Sequence, residues 1–355
     1  MIPVKMGTPR SHDGLTLFPL FLNDDQDADG SGGSDGSGDS DGSGDSRGPG
    51  GFHTPLTLLA DALEAGSLEV TEVDENGVVG ELIAINRGPT PVLILDGEQL
   101  IGAKQNRTTS RTIVVAASQR TAIPVSCMEQ GRWRHVSASM KHGGEHSPSS
   151  VRRHARRVEG EDAARESDEV ARPREPGAHR PRASSPSELL AMAQGDVWHS
   201  VAESSHRSGV YSETGALDHV YAQRREGLEE RAARFPSEPG QVGLMAFLYG
   251  APVGLDLLPD AGVYERVHER LVRAYLFESA DAAADRPDHG EYAGSVDVSC
   301  PDRDVFLAAA LEATRIPRET VGLGTYSVVS GPDIFGAELA LDGELVHLSA
   351  FNGME

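Results

Sequence analysis

The sequence predicts an α+β fold, with a β-rich, sandwich-like N-terminal lobe and an α+β C-terminal lobe. Three observations lead there. Short runs of Val, Ile, Leu and Thr, broken by Asx-Gly pairs, crowd the region from Leu68 to Cys127. Helical spacing of apolar residues takes over after Ser187. A last Asp-Gly pair, Asp342-Gly343, lies between two alternating runs near the end.

Leu15 to Leu22 reads as the first strand, with Pro19 marking an edge because proline cannot donate to a ladder. Residues 23–51 are almost wholly Asp, Gly and Ser, have nothing to bury, and read as a disordered loop. Their DxDGSG runs resemble part of a calcium loop, but no Glu between Asp24 and Gly51 supplies its bidentate ligand. Thr54 and Pro55 then start a helix with Leu56, Leu59, Ala60 and Leu63 on one face, stopped by Gly66. Leu68–Glu75 and Val78–Asn86 are strands turning at Asn76-Gly77, and Pro91–Leu95 and Gln99–Ala103 turn at Asp96-Gly97. Thr112–Ala116 and Thr121–Cys127 form a further pair, with Pro124 at an edge or bulge.

Residues 143–187 mix Arg, Glu, Pro and Ser with hardly any large apolar residue, and read as a disordered insertion. Helices follow at Ser187–Ser204, Thr214–Phe235, Tyr264–Ala280 and Asp302–Thr314. Asp281–Val298 reads as an acidic loop. Hairpins are expected around Tyr249-Gly250 and Asp342-Gly343. The chain thus divides into 1–142, the insertion 143–187, and 188–355, as one composite domain.

A net charge of -23 argues against nucleic acid or an anionic membrane as partner. Positive charge is nearly all Arg, with Lys only at positions 5, 104 and 141. Two cysteines, Cys127 and Cys300, make neither a disulfide framework nor a zinc site. With no leader and no long apolar run, the expected compartment is the cytoplasm. A small-molecule ligand and a homo-oligomer both suit such a chain. No metal-ligand spacing, P-loop or GxGxxG occurs, so the sequence names no metal and no cofactor.

The chemistry concentrates in two polar clusters. The first is Glu98 and Lys104-Gln105-Asn106-Arg107; the second is Cys127, Glu129, Gln130, Arg132 and Trp133. Arg offers a planar fork for phosphate or carboxylate, Trp can stack on a base or sugar, and the amides can read a ribose. On this reading Lys104, Arg107 and Arg132 hold anionic groups, Glu129 is the acid/base, and Cys127 is a nucleophile candidate. The plainer reading makes Cys127 a buried inert thiol and pairs Arg132 with Glu129. Asp96 and Glu98 read first as turn residues, and His347 as a structural strand histidine.

LDGEQLIGAKQNR followed by IPVSCMEQGRWR resembles the ARPP-1 family, a domain of unknown activity associated with ADP-ribosylglycohydrolase and rhodanese-phosphatase proteins. The likeness continues through Leu58–Val73, Gly240–Leu258 and the closing LDGELVHLSAF. It implies a neighbourhood with NAD and ADP-ribose metabolism. The expected function is binding or processing of a small phosphorylated or nucleotide-derived metabolite. The alternative is a non-catalytic scaffold or oligomerising protein.

Overall fold

A computed structural model describes residues 3–23, 54–171, 186–284 and 300–353. The expected Asp/Gly/Ser loop falls almost wholly outside these residues, as do 172–185 of the insertion and 285–298 of the acidic loop.

The fold is α+β. The chain opens with β1 (Val4–Met6), β2 (Arg10–His12) and β3 (Leu15–Leu22), followed by β4 (Thr57–Leu58) and α1 (Leu59–Glu64). Seven strands come next: β5 (Leu68–Glu72), β6 (Glu81–Asn86), β7 (Val92–Ile94), β8 (Glu98–Gly102), β9 (Arg107–Thr109), β10 (Ile113–Val115) and β11 (Arg120–Cys127). β12 (Met140–His146) leads into α2 (Ser149–Ala171), α3 (Pro186–Ser208) and α4 (Leu217–Ala232). The rest is β13 (Gln241–Leu248), β14 (Ala251–Leu257), α5 (Ala261–Ala284), α6 (Cys300–Glu312), β15 (Thr314–Arg318), β16 (Thr325–Gly331), β17 (Ile334–Leu341) and β18 (Glu344–Asn352).

Among the described residues these strands form three sheets. One runs β1-β3-β13-β14-β18-β17-β16-β15, with β2 beside β3; one runs β12-β8-β9-β11-β6-β5; the smallest is β10-β7-β4. The chain's first strands therefore sit in the sheet built mostly by its second half. α6 packs Phe306 and Leu307 on one face of the large sheet with Phe18, Leu20 and Phe247. α5 packs on β13 from the other core, with Val267 and Leu271 among Leu15, Leu17 and Leu244. Leu68, Val70, Leu82, Ile94, Ile113 and Ile123 close a third core over the small sheets.

Two expected hairpins form with positive φ at both central residues: Tyr249-Gly250 at 49° and 87°, and Asp342-Gly343 at 54° and 83°. Other expectations need correction. β3 is an interior strand, not an edge: Pro19 sits where its outer partner changes from β1 to β2, and its carbonyl still accepts from Gly7 N at 2.8 Å. The helix begins at Leu59 because Thr57 and Leu58 pair in parallel with β7. Asn76-Gly77 is not a two-residue turn; the Asp74 carboxylate accepts from both of their amides in a longer connection. β7 and β8 do not pair, since β7 faces β10 and β8 faces β12 and β9. Asp96-Gly97 is thus a crossing between sheets rather than a hairpin tip.

The largest correction concerns the expected disordered insertion. Its residues 149–171 form α2. The helix lacks large apolar residues because its buried face is ionic: Arg152, Arg156 and Glu159 are each under 5 % exposed, beside Val151 and Val158. Mixed charge suggests a solvated segment, whereas here opposite charges pair inside.

Candidate functional site

The two polar clusters meet because β9 and β11 are antiparallel neighbours. Their register places Arg107 opposite Cys127 and Thr108 opposite Ser126. The loop before β9 and the turn after β11 then leave the sheet side by side. Asn106 N donates to Glu129 Oε2 at 3.1 Å, and Gln105 Nε2 donates to the Glu129 carbonyl at 2.9 Å. Met128 N donates to the Asn106 carbonyl at 2.9 Å.

Much of the cluster's charge is consumed internally. Arg132 and Glu129 form a buried ion pair at 2.5 Å, and the same guanidinium donates to Ala103 O at 2.8 Å and Asn106 Oδ1 at 2.9 Å. Burial raises the Glu129 carboxyl, but the hydrogen bonds from Arg132 and the Asn106 amide oppose it, and its pKa lies below the ordinary value. Arg132 is therefore a strut for this loop rather than an open anion ligand, and Glu129 is its counterion rather than a free acid/base. The Lys104 ammonium bonds the Glu75 carbonyl. Cys127 is fully buried, its thiol directed at Gln105 Oε1 at 3.2 Å.

Arg107 is different. It is 0 % exposed, one terminal nitrogen bonds Gln105 Oε1, and its Nε and second terminal nitrogen have no partner. Burial pulls its pKa below the ordinary value, opposed by the Cys127 sulfur and the Glu72 carboxylate beside it. Trp133 roofs this point, with Lys104 Nζ and Arg107 Cζ at 5.4 and 5.6 Å from its ring centroid. The indole itself is 46 % exposed, so it stands between the buried cation and solvent.

Of the predicted residues, Lys104, Gln105, Asn106, Arg107, Cys127, Glu129, Arg132 and Trp133 are brought together; Gln130 lies on the exposed rim. Glu98 is not with them. Its carboxylate accepts from Leu95 N at 2.9 Å and pairs with His142 and Arg270, each at 3.3 Å. The residue that sequence reasoning missed is Glu72. It follows Leu68 and Val70 on the buried side of β5, so the signal was a carboxylate at an apolar position of a period-2 strand.

Asp96 and His347 belong to a second polar group in the interior. Arg152 donates to Asp96 Oδ1 at 3.1 Å and to Asp256 Oδ1 at 2.5 Å. His347 contacts Thr112 Oγ1 at 2.6 Å and Asp256 Oδ1 at 3.3 Å. Arg111 and Arg156 hold Glu159 at 2.6 and 2.5 Å. Burial raises the Asp96 carboxyl, yet Arg152, His347 and Arg156 together hold it down at about 2. Burial and the Arg152 charge push the His146 imidazole down to about 3. Asp96, Asp256 and His347 bring one ligand atom each within 4.8 Å, a metal-like spacing, but Arg152 already supplies the cation between the carboxylates. Gly97, at φ +90°, admits this packing: a Cβ there would lie 2.8 Å from both His146 and Arg152.

Cavities among the described residues lie elsewhere. One of about 690 Å³ is lined by Leu63, Leu68, Arg87, Met140, Lys141 and His142, and one of about 330 Å³ by Ser149, Ser150, Arg153, Ser200, Arg207 and Glu278 among others. Among the described residues, no helix is long and apolar enough to cross a membrane.

A family model described as the ARG and Rhodanese-Phosphatase-superfamily-associated Protein domain, ARPP-1, matches residues 3–351. No curated protein and no solved structure matches the chain.

Proposed function

The chain belongs to the ARPP-1 family, and from that premise we propose that it binds a small phosphorylated, nucleotide-derived ligand of the ADP-ribose class at Arg107. The observation that supports this is the buried guanidinium with two unused donors. A buried donor without a partner costs about 1–3 kcal/mol, and more when charged. An anion at that point recovers the cost, through the fork geometry that suits phosphate. In this reading the phosphate enters beside the indole to Arg107, and the base lies on the open surface of Trp133. Gln105 and Cys127 line the inner wall. Lys104, Asn106, Glu129 and Arg132 keep the loop and turn in place.

Isothermal titration of the full chain with ADP-ribose, NAD and nucleoside diphosphates tests this. At least one is expected to bind, and Trp133→Ala is expected to weaken that binding by about 1–3 kcal/mol, the worth of one stacked base. A silent panel removes the reading.

The closed Glu129–Arg132 pair favours a second reading, in which this turn is a rigid scaffold surface. Val78, Val79, Trp133 and Val136, four of the exposed large apolar residues, come from this turn and from the connection before β6. A silent ligand panel together with a dimer in sedimentation, abolished by Trp133→Glu, supports that reading instead.

A further inference from the structure

We infer that Glu72 makes this site selective for ligands that carry a hydroxyl group close to their anionic group, as a sugar phosphate does. The inference rests on the reading of Arg107 as the anion-holding residue.

Glu72 ends β5 on its buried face and is 7 % exposed. One carboxylate oxygen is fixed, accepting from Lys104 N at 3.0 Å. The other, Oε2, is buried and has no partner. Its place is defined by Gly77, whose φ is +74°. A Cβ there would lie 3.2 Å from Glu72 Oε2, 3.1 Å from Lys104 Cδ and 3.4 Å from Trp133 Cζ2. The free oxygen therefore lies where the Lys104 stem, the indole edge and the turn before β6 converge. The same carboxylate is close enough to Arg107 to act on its charge.

The site thus has unused donors on Arg107 and an unused acceptor on Glu72, under one roof. An ionised carboxylate only accepts hydrogen bonds, so its partner must bring an O–H or N–H. It also repels a second anion in low dielectric. A phosphate alone satisfies Arg107 and meets repulsion from Glu72. A phosphate with a neighbouring sugar hydroxyl satisfies both. Glu72 is a specificity residue on this account, and Gly77 keeps the space above it open.

The experiment compares ribose 5-phosphate with methyl phosphate, which has the anion and no hydroxyl, on the full chain by titration calorimetry. The unmodified protein is expected to prefer ribose 5-phosphate by about tenfold or more, the size of one charge-assisted hydrogen bond. Glu72→Gln keeps a carbonyl oxygen for Lys104 N, so its folding is preserved, and its melting temperature checks this. In that variant the preference is expected to shrink, with ribose 5-phosphate binding more weakly and methyl phosphate more tightly. Equal binding of the two ligands by the unmodified protein, or an unchanged preference in Glu72→Gln, overturns the inference and leaves the Arg107 site standing. Binding of neither, with ADP-ribose silent as well, overturns both.

Discussion

Arg152→Met is expected to destabilise the protein by about 3–5 kcal/mol, the cost of leaving buried charge uncompensated. Among the described residues Arg152 alone donates to both Asp96 and Asp256, at 3.1 and 2.5 Å, and Tyr275 and His347 also contact Asp256 at 2.9 and 3.3 Å. Removing the cation leaves two carboxylates facing each other in the interior. Asp96 comes from the crossing after β7, Arg152 from α2, and Asp256 from β14, so the ion group joins the small sheet to the large one. Urea unfolding measures the loss. A change below about 1 kcal/mol, the range of exposed pairs, contradicts the central place given to this group.

The second large effect is an acid sensitivity that begins unusually early. His146 is 0 % exposed, neither ring nitrogen has a partner, and its pKa is pushed down to about 3. The unfolded chain takes up this proton near pH 6.5, and the native protein does not until about 3. Stability from His146 is therefore complete above pH 6.5 and falls as the pH drops toward 3. Between pH 6.5 and 5 the loss is about 2 kcal/mol. Asp96, with its pKa held at about 2, adds a separate loss from about pH 4 downward, as the unfolded carboxyl protonates first. Urea midpoints at pH 7, 6 and 5 test this, with His146→Phe expected to flatten the profile above pH 5. An equally steep profile in that variant assigns the proton elsewhere.

Much of the scaffold was legible because it obeys period and turn chemistry. The Tyr249-Gly250 and Asp342-Gly343 hairpins follow from residues that tolerate positive φ. α4 follows from Leu217, Val220, Tyr221 and Leu228, all buried as their spacing requires. The clusters around Arg107 and Glu129 were also visible as polar runs at strand ends, although their contact depends on β9 lying beside β11. Local sequence carries little information on such pairing.

Several of the corrections share one cause: buried charge looks like surface. α2 resembles a solvated insertion until Arg152, Arg156 and Glu159 are seen inside with their partners. Asp96 resembles a hairpin residue, and the strands on either side of it turn out to belong to different sheets. Glu72 sits in a strand pattern where a carboxylate passes for an exposed residue. β15 and β16 leave no such signal in the sequence; β15 has no fully buried residue and carries Pro317, which masks its strand character.

The claim that carries the functional account is that an anionic ligand reaches Arg107 beneath Trp133. The chain has two tryptophans, Trp133 and Trp198. In a Trp198→Phe protein the indole over Arg107 is the sole tryptophan reporter. Titrating ADP-ribose into that protein is expected to change its emission saturably, with the curve moved about tenfold or more to weaker binding by Arg107→Lys, which keeps the charge and loses the fork. Emission that stays constant at every ligand concentration, or a curve that Arg107→Lys leaves in place, contradicts the account.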